Sequence, residues 1–150
     1  MSTRTFYADI GDVSLRLRTE GQGARTLVLV HEMGGTLDSW DPVCTALAEA
    51  FRIVRYDMRG HGFSEKIRGP FAMADAVADL AGVVALAGDG PMLLAGSALG
   101  GGIALQYAAG QPSGLSGVVA LGPAIGVPPA AKPRVLAMAE AVESKGARWL

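Results

Sequence analysis

The chain has 150 residues, half of them hydrophobic, and a formal net charge of −1 at pH 7, a composition that fits one globular domain with a real core. The even charge balance gives no footing for nucleic acid or an anionic membrane surface, and no apolar run reaches the ~18–20 residues of a membrane span. Cys44 is the only cysteine, which excludes a disulfide framework and a thiolate metal cluster; with no signal-peptide core near Met1, the cytoplasm is the expected setting.

In chain order, Phe6 to Ile10 and Val13 to Arg18 read as two short strands joined at Gly11-Asp12, the second alternating apolar Val13, Leu15 and Leu17 with polar residues. After a turn at Gly21-Gln22-Gly23, Thr26 to Val30 is a continuous apolar run of the kind a buried parallel strand needs. Asp38 to Ala50 predicts a helix, Arg52 to Tyr56 a strand, and Asp57 to Gly62 a tight loop. Phe71 to Ala87 is Ala-rich and helical, with Asp75 and Asp79 expected on a wet face. Met92 to Ala95 forms a strand, a helix follows to about Ala109, and Gly117 to Leu121 is the sixth strand. Prolines 128, 129 and 133 then change the texture before a last helix from Pro133 to about Ser144, stopped at Gly146. Strands alternating with helices predict an α/β fold, a mostly parallel sheet with helices on both faces.

The most informative stretch is Leu93-Leu94-Ala95-Gly96-Ser97-Ala98-Leu99-Gly100-Gly101-Gly102. It reads as a nucleophile elbow, a tight strand-to-helix turn whose central residue carries the reactive group. Residues two before and two after the centre must be small. Centring on Ala98 places Gly96 and Gly100 there, whereas centring on Ser97 would place Leu99 inside the turn. Alanine therefore stands where serine is expected. Two origins fit, a natural loss of the serine or a deliberate Ser-to-Ala change, and the intact glycines favour the second. A dinucleotide fingerprint or a phosphate loop would need spacings that do not occur here.

Two further stretches, in order along the chain, join the elbow: Leu27 to Gly35 with Ser39-Trp40, and Tyr56-Asp57-Met58-Arg59-Gly60-His61-Gly62-Phe63-Ser64. Together the three resemble the amino-terminal part of an α/β-hydrolase, in the lactonase, esterase and carbon–carbon-bond hydrolase branch. The resemblance implies an oxyanion hole from the backbone N–H groups of Met33 and Leu99, and a structural role for Asp57 and Arg59 in bracing a loop beside the site. Glu32 stands where the family commonly has glycine; it reads as a solvated loop charge or, less favoured, as a residue facing the pocket together with His31. Neither His31 nor His61 is expected to be the base. Cys44, Trp40 and Tyr56 read as packing residues.

In this family the acid and the histidine follow the serine, yet no histidine or aspartate occurs after Ala98, only Glu140 and Glu143. The resemblance thus implies residues 1–122 as the first part of the core and 123–150 as the start of a cap. The 150 residues are expected to be a fragment, with the last strands and the rest of the triad in a C-terminal segment, and an unpaired sixth strand would otherwise be an aggregation hazard. The expected activity is that of a serine hydrolase acting on a small ester, lactone or activated C–C bond, inactive with Ala98, needing no metal or organic cofactor. Haloalkane dehalogenases and epoxide hydrolases of the same fold fit less well, since they use an aspartate nucleophile. The alternative is a non-catalytic ligand-binding protein of the same fold.

Overall fold

The computed structural model describes residues 3–67 and 69–145. Six strands form one sheet among them: β1 (Arg4–Ile10), β2 (Val13–Gly21), β3 (Arg25–Val30), β4 (Phe51–Tyr56), β5 (Met92–Ser97) and β6 (Leu115–Leu121). Their order is β1-β2-β4-β3-β5-β6. The β1–β2 hairpin and the β2–β4 pair are antiparallel, while β3 pairs in parallel with both β4 and β5, and β5 with β6. This is the α/β arrangement that the alternation of strands and helices predicts.

The period of two along each strand sorts the core into two layers. On β3, Val28 and Val30 join Leu15, Leu17, Val54 and Leu94 beneath helices α2 (Met73–Ala87) and α3 (Leu99–Ala109). Leu27 and Leu29 point the other way, to Trp40, Cys44 and Ile53 beneath α1 (Asp41–Leu47). Because β3 is covered on both faces, it reads as an unbroken apolar run rather than an alternating one. Burial raises the Cys44 thiol to about 12, so that side chain is packing material and not a thiolate nucleophile.

Several predicted boundaries move. The helix expected over 38–50 is a 3₁₀ turn, Leu37–Trp40, followed by α1. Thr36 Oγ1 accepts from the Asp38 N–H at 3.2 Å to cap the first piece, and Pro42, lacking an N–H, fits the opening turn of the second. Strand β2 runs on to Gly21 because Thr19, Glu20 and Gly21 pair with Val54, Ile53 and Arg52 of β4. The last helix, α4, spans Lys132–Lys145 with no buried residue; the stop expected at Gly146 lies outside the described residues. Within the described sheet β6 is an edge strand, and its Val119 and Leu121 are about half exposed on the α1 side.

Asp79 overturns the expectation of a wet helix face. Asp75 is exposed, but Asp79, one turn later, is buried. Its two carboxylate oxygens accept from Arg59 Nε and Nη2, each at 2.7 Å. A bidentate guanidinium–carboxylate pair of this kind is what permits an aspartate in the core.

Candidate functional site

Parallel pairing in register, Val30 opposite both Tyr56 and Gly96, brings the ends of β3, β4 and β5 out at one edge of the sheet. The chain passes from β4 across β3 to reach β5, so this edge is a topological switch point, where open α/β sheets form their crevices. Met33 follows β3, Met58 follows β4 and Ala98 follows β5.

Ala98 sits between β5 and α3 with φ +48° and ψ −110°. A residue with a Cβ avoids this region, and holding one there costs about 1–3 kcal/mol. The surroundings fix it: the Ala98 N–H donates to the Leu121 carbonyl at 2.9 Å, and its carbonyl accepts from Gly102 N–H at 3.0 Å and Ala124 N–H at 2.8 Å. Two glycines make the turn possible. A Cβ on Gly96 would collide with the Gly100 carbonyl, and one on Gly100 with the carbonyls of Val30 and His31. Ser97, by contrast, is the last residue of β5.

The loop after β3 is held by backbone and side-chain bonds. Gly35 N–H donates to the Glu32 carbonyl at 3.1 Å, closing a turn that leaves the Met33 side chain exposed. Glu32 is half-buried, and its Oε1 accepts from the exposed Ser39 Oγ at 2.8 Å; it does not line the cavity described below. His31 is fully buried. Its Nε2 accepts the Met58 N–H at 3.0 Å, and its Nδ1 lies 2.7 Å from the Glu32 carbonyl. With Nε2 accepting, the proton belongs on Nδ1, which donates to Glu32. Burial pushes the His31 pKa below its usual value, the nearby His61 adding to the effect against the opposing Glu32 carbonyl and Asp57. Both nitrogens are thus engaged with backbone, and the ring ties the β3 loop to the β4 loop. The His61 ring meets it edge-on at 5.2 Å and is half-buried.

Asp57 is a second tie. Its carboxylate accepts from Leu37 N–H at 2.7 Å, Phe63 N–H at 2.8 Å and Arg16 Nη1 at 3.2 Å, and its carbonyl accepts from Ser64 Oγ at 2.6 Å. Arg59 is held by Asp79 and, at 3.2 Å, by Asp12, and these carboxylates raise its already high pKa.

A cavity of about 210 Å3 opens beside the elbow, and Met33 and Leu99 both line it. Met58, Met73, Ile103 and the guanidinium-bearing Arg59 complete most of the wall. The sequence did not single out Met73 or Ile103, because a cavity assembled from two loops and two helices leaves no local pattern. Among the described residues, no group of three or more His, Cys, Asp or Glu is placed to hold a metal ion, and no helix is long and apolar enough to cross a membrane.

A mostly parallel sheet flanked on both faces, with a strained strand-to-helix turn opening on a crevice, defines a class of α/β protein. A family model described as alpha/beta hydrolase fold matches residues 25–142, and the chain belongs to that family. It is 33% identical over 121 residues to the dihydrolipoyllysine-residue acetyltransferase component of the acetoin cleaving system of Cupriavidus necator, covering 78% of this chain and 31% of that protein. It is 29% identical over 113 residues to the 2-(acetamidomethylene)succinate hydrolase of Mesorhizobium japonicum, covering 75% of this chain and 40% of that protein. Among solved structures, the enol-lactonase of Burkholderia xenovorans LB400 superposes with a TM-score of 0.81 at 28% identity, over 93% of this chain and 54% of that one. The chain therefore spans well under half the length of these two curated relatives.

Proposed function

We propose that the turn at residue 98 is the acyl-transfer site of a serine-type hydrolase acting on a small ester, lactone or activated C–C bond, with Ala98 standing in the nucleophile's place. A serine there would attack the substrate carbonyl, and the N–H groups of Met33 and Leu99 would receive the developing oxyanion. The observation that supports this reading is Ala98 itself, held at positive φ beside a cavity that Met33 and Leu99 share. Alanine gains no chemistry from that strain.

A hydroxyl at 98 needs a base and an orienting acid. His31 is an unsuitable base, since both of its ring nitrogens are spent on backbone partners. No histidine or aspartate follows residue 98, so the proposal places both partners outside residues 1–150, in a C-terminal segment, with residues 123–150 beginning a cap. As it stands, with alanine, the site binds substrate without cleaving it.

The test is Ala98→Ser in the full-length product of the gene, assayed on a panel of small acyl esters and lactones. Turnover that appears with serine and is absent with alanine is the expected result. No turnover across the panel, alongside tight ligand binding by the alanine form, would replace the hydrolase reading with that of a binding protein, which the presence of Ala98 also favours.

A further inference from the structure

We propose that the cavity beside Ala98 seats an uncharged, flexible aliphatic acyl chain, so that the site prefers esters of straight-chain fatty acids to half-esters of dicarboxylic acids. The proposal rests on the acyl-transfer reading above and extends it to a substrate class.

Three observations converge. Three of the chain's six methionines, Met33, Met58 and Met73, line this one cavity with Leu99 and Ile103. They reach it from the β3 loop, the β4 loop and the start of α2. Methionine is unbranched and polarizable, and adapts its shape to an apolar guest while presenting no donor and only a weak acceptor. Leu99 directly follows the turn residue, so the cavity wall begins one residue from position 98.

The second observation is the state of Arg59, the one charged group among the described residues lining the cavity. Both of its contacts to Asp79 are 2.7 Å long, and Asp12 lies 3.2 Å from Nη2. Its charge is already answered by two carboxylates. A substrate carboxylate entering here would lose water and gain no counter-ion, which is unfavourable for a buried charge.

The third is size. A volume of about 210 Å3 corresponds to about seven water-sized groups at ≈ 30 Å3 each, room for a short- to medium-length chain. Within that limit each added methylene should tighten binding about fourfold, the fold-change expected for burying one such group.

The experiment is an NMR titration of the full-length product of the gene, with Ala98 retained and ¹³C-methyl methionine incorporated, its signals assigned by single Met→Leu variants. Methyl butyrate, methyl hexanoate and monomethyl succinate are the probes. Methyl hexanoate should move the Met33, Met58 and Met73 signals, leave Met138 on the exposed helix α4 unchanged, and bind roughly tenfold or more tighter than the butyrate. Monomethyl succinate should move none of them at the same concentration. Equal or tighter binding of the succinate half-ester, or a Met138 shift as large as those of the cavity methionines, would overturn the proposal. Met73→Trp, which fills the cavity, should abolish the hexanoate shifts at Met33 and Met58; should it misfold by circular dichroism, the native titration decides alone. Because binding needs no nucleophile, the outcome is independent of the serine restoration: hydrolysis with a preference for the half-ester refutes the chain seat only, and hexanoate binding without hydrolysis refutes the hydrolase reading only.

Discussion

Replacing Ala98 with glycine should stabilise the protein, against the usual effect of adding a glycine. At φ +48° and ψ −110° the alanine carries a strain of about 1–3 kcal/mol, which glycine does not feel. Set against this is the extra freedom of glycine in the unfolded chain, about 0.4–1 kcal/mol. A net gain of up to about 2.5 kcal/mol remains, read as a rise in Tm of about 2–4 °C per kcal/mol for a chain of this size. Residue 98 is also the N-cap of α3, where glycine is favoured over alanine for reasons unrelated to strain. Ala72 supplies the control: it caps α2 with an ordinary extended backbone, φ −92° and ψ 163°. Ala72→Gly carries the N-cap and entropy effects alone, so the difference between the two variants isolates the strain. Scanning calorimetry or urea titration of both would measure it. An Ala98→Gly gain no larger than that of Ala72→Gly would refute the claim that this turn is strained.

Two other outcomes follow from buried polar groups. Asp79→Ala leaves the Arg59 guanidinium buried with only the largely exposed Asp12 beside it; breaking such a pair costs about 3–5 kcal/mol, and a fall in urea midpoint equivalent to less than about 1 kcal/mol would show the pair to be dispensable. His31 has a folded pKa below its unfolded value near 6.5, so as the pH falls through that value the unfolded state takes up the proton first. Stability should therefore fall below about pH 6.5 and go on falling until the folded pKa is reached, with a slope of up to about 1.4 kcal/mol per pH unit from this group. His31→Gln should flatten the profile between pH 7 and 5, and an unchanged profile would show that His31 carries none of it.

The sheet and its turn were legible because their signals are local. The unbroken apolar run of β3 reports a strand covered on both faces, and the spacing of Gly96 and Gly100 follows from backbone approach inside a single turn. Asp79 was misread because helical periodicity places it with exposed Asp75, while the partner that draws it inward, Arg59, lies on a loop 20 positions earlier. The bracing role of Asp57 follows from the resemblance, but the partners of His31 and Asp57 are hidden in the sequence, since Met58 and Leu37 lie 27 and 20 positions away. Met58, Met73 and Ile103 share a cavity wall only after three separate elements have docked. Sequence patterns report contacts along an element, and those contacts run between elements.

The pairing of β3 with β4 on one side and β5 on the other sets a problem of timing during synthesis. Translation proceeds at about 5–20 residues per second. The hairpin and β4 are all available before α2 has emerged, and β5 follows β3 out of the ribosome only after several seconds. During that interval Leu27 to Val30 presents an apolar edge whose second neighbour does not yet exist. The nascent chain must wait with its future central strand half-paired, and for those seconds it is the kind of intermediate on which chaperones act.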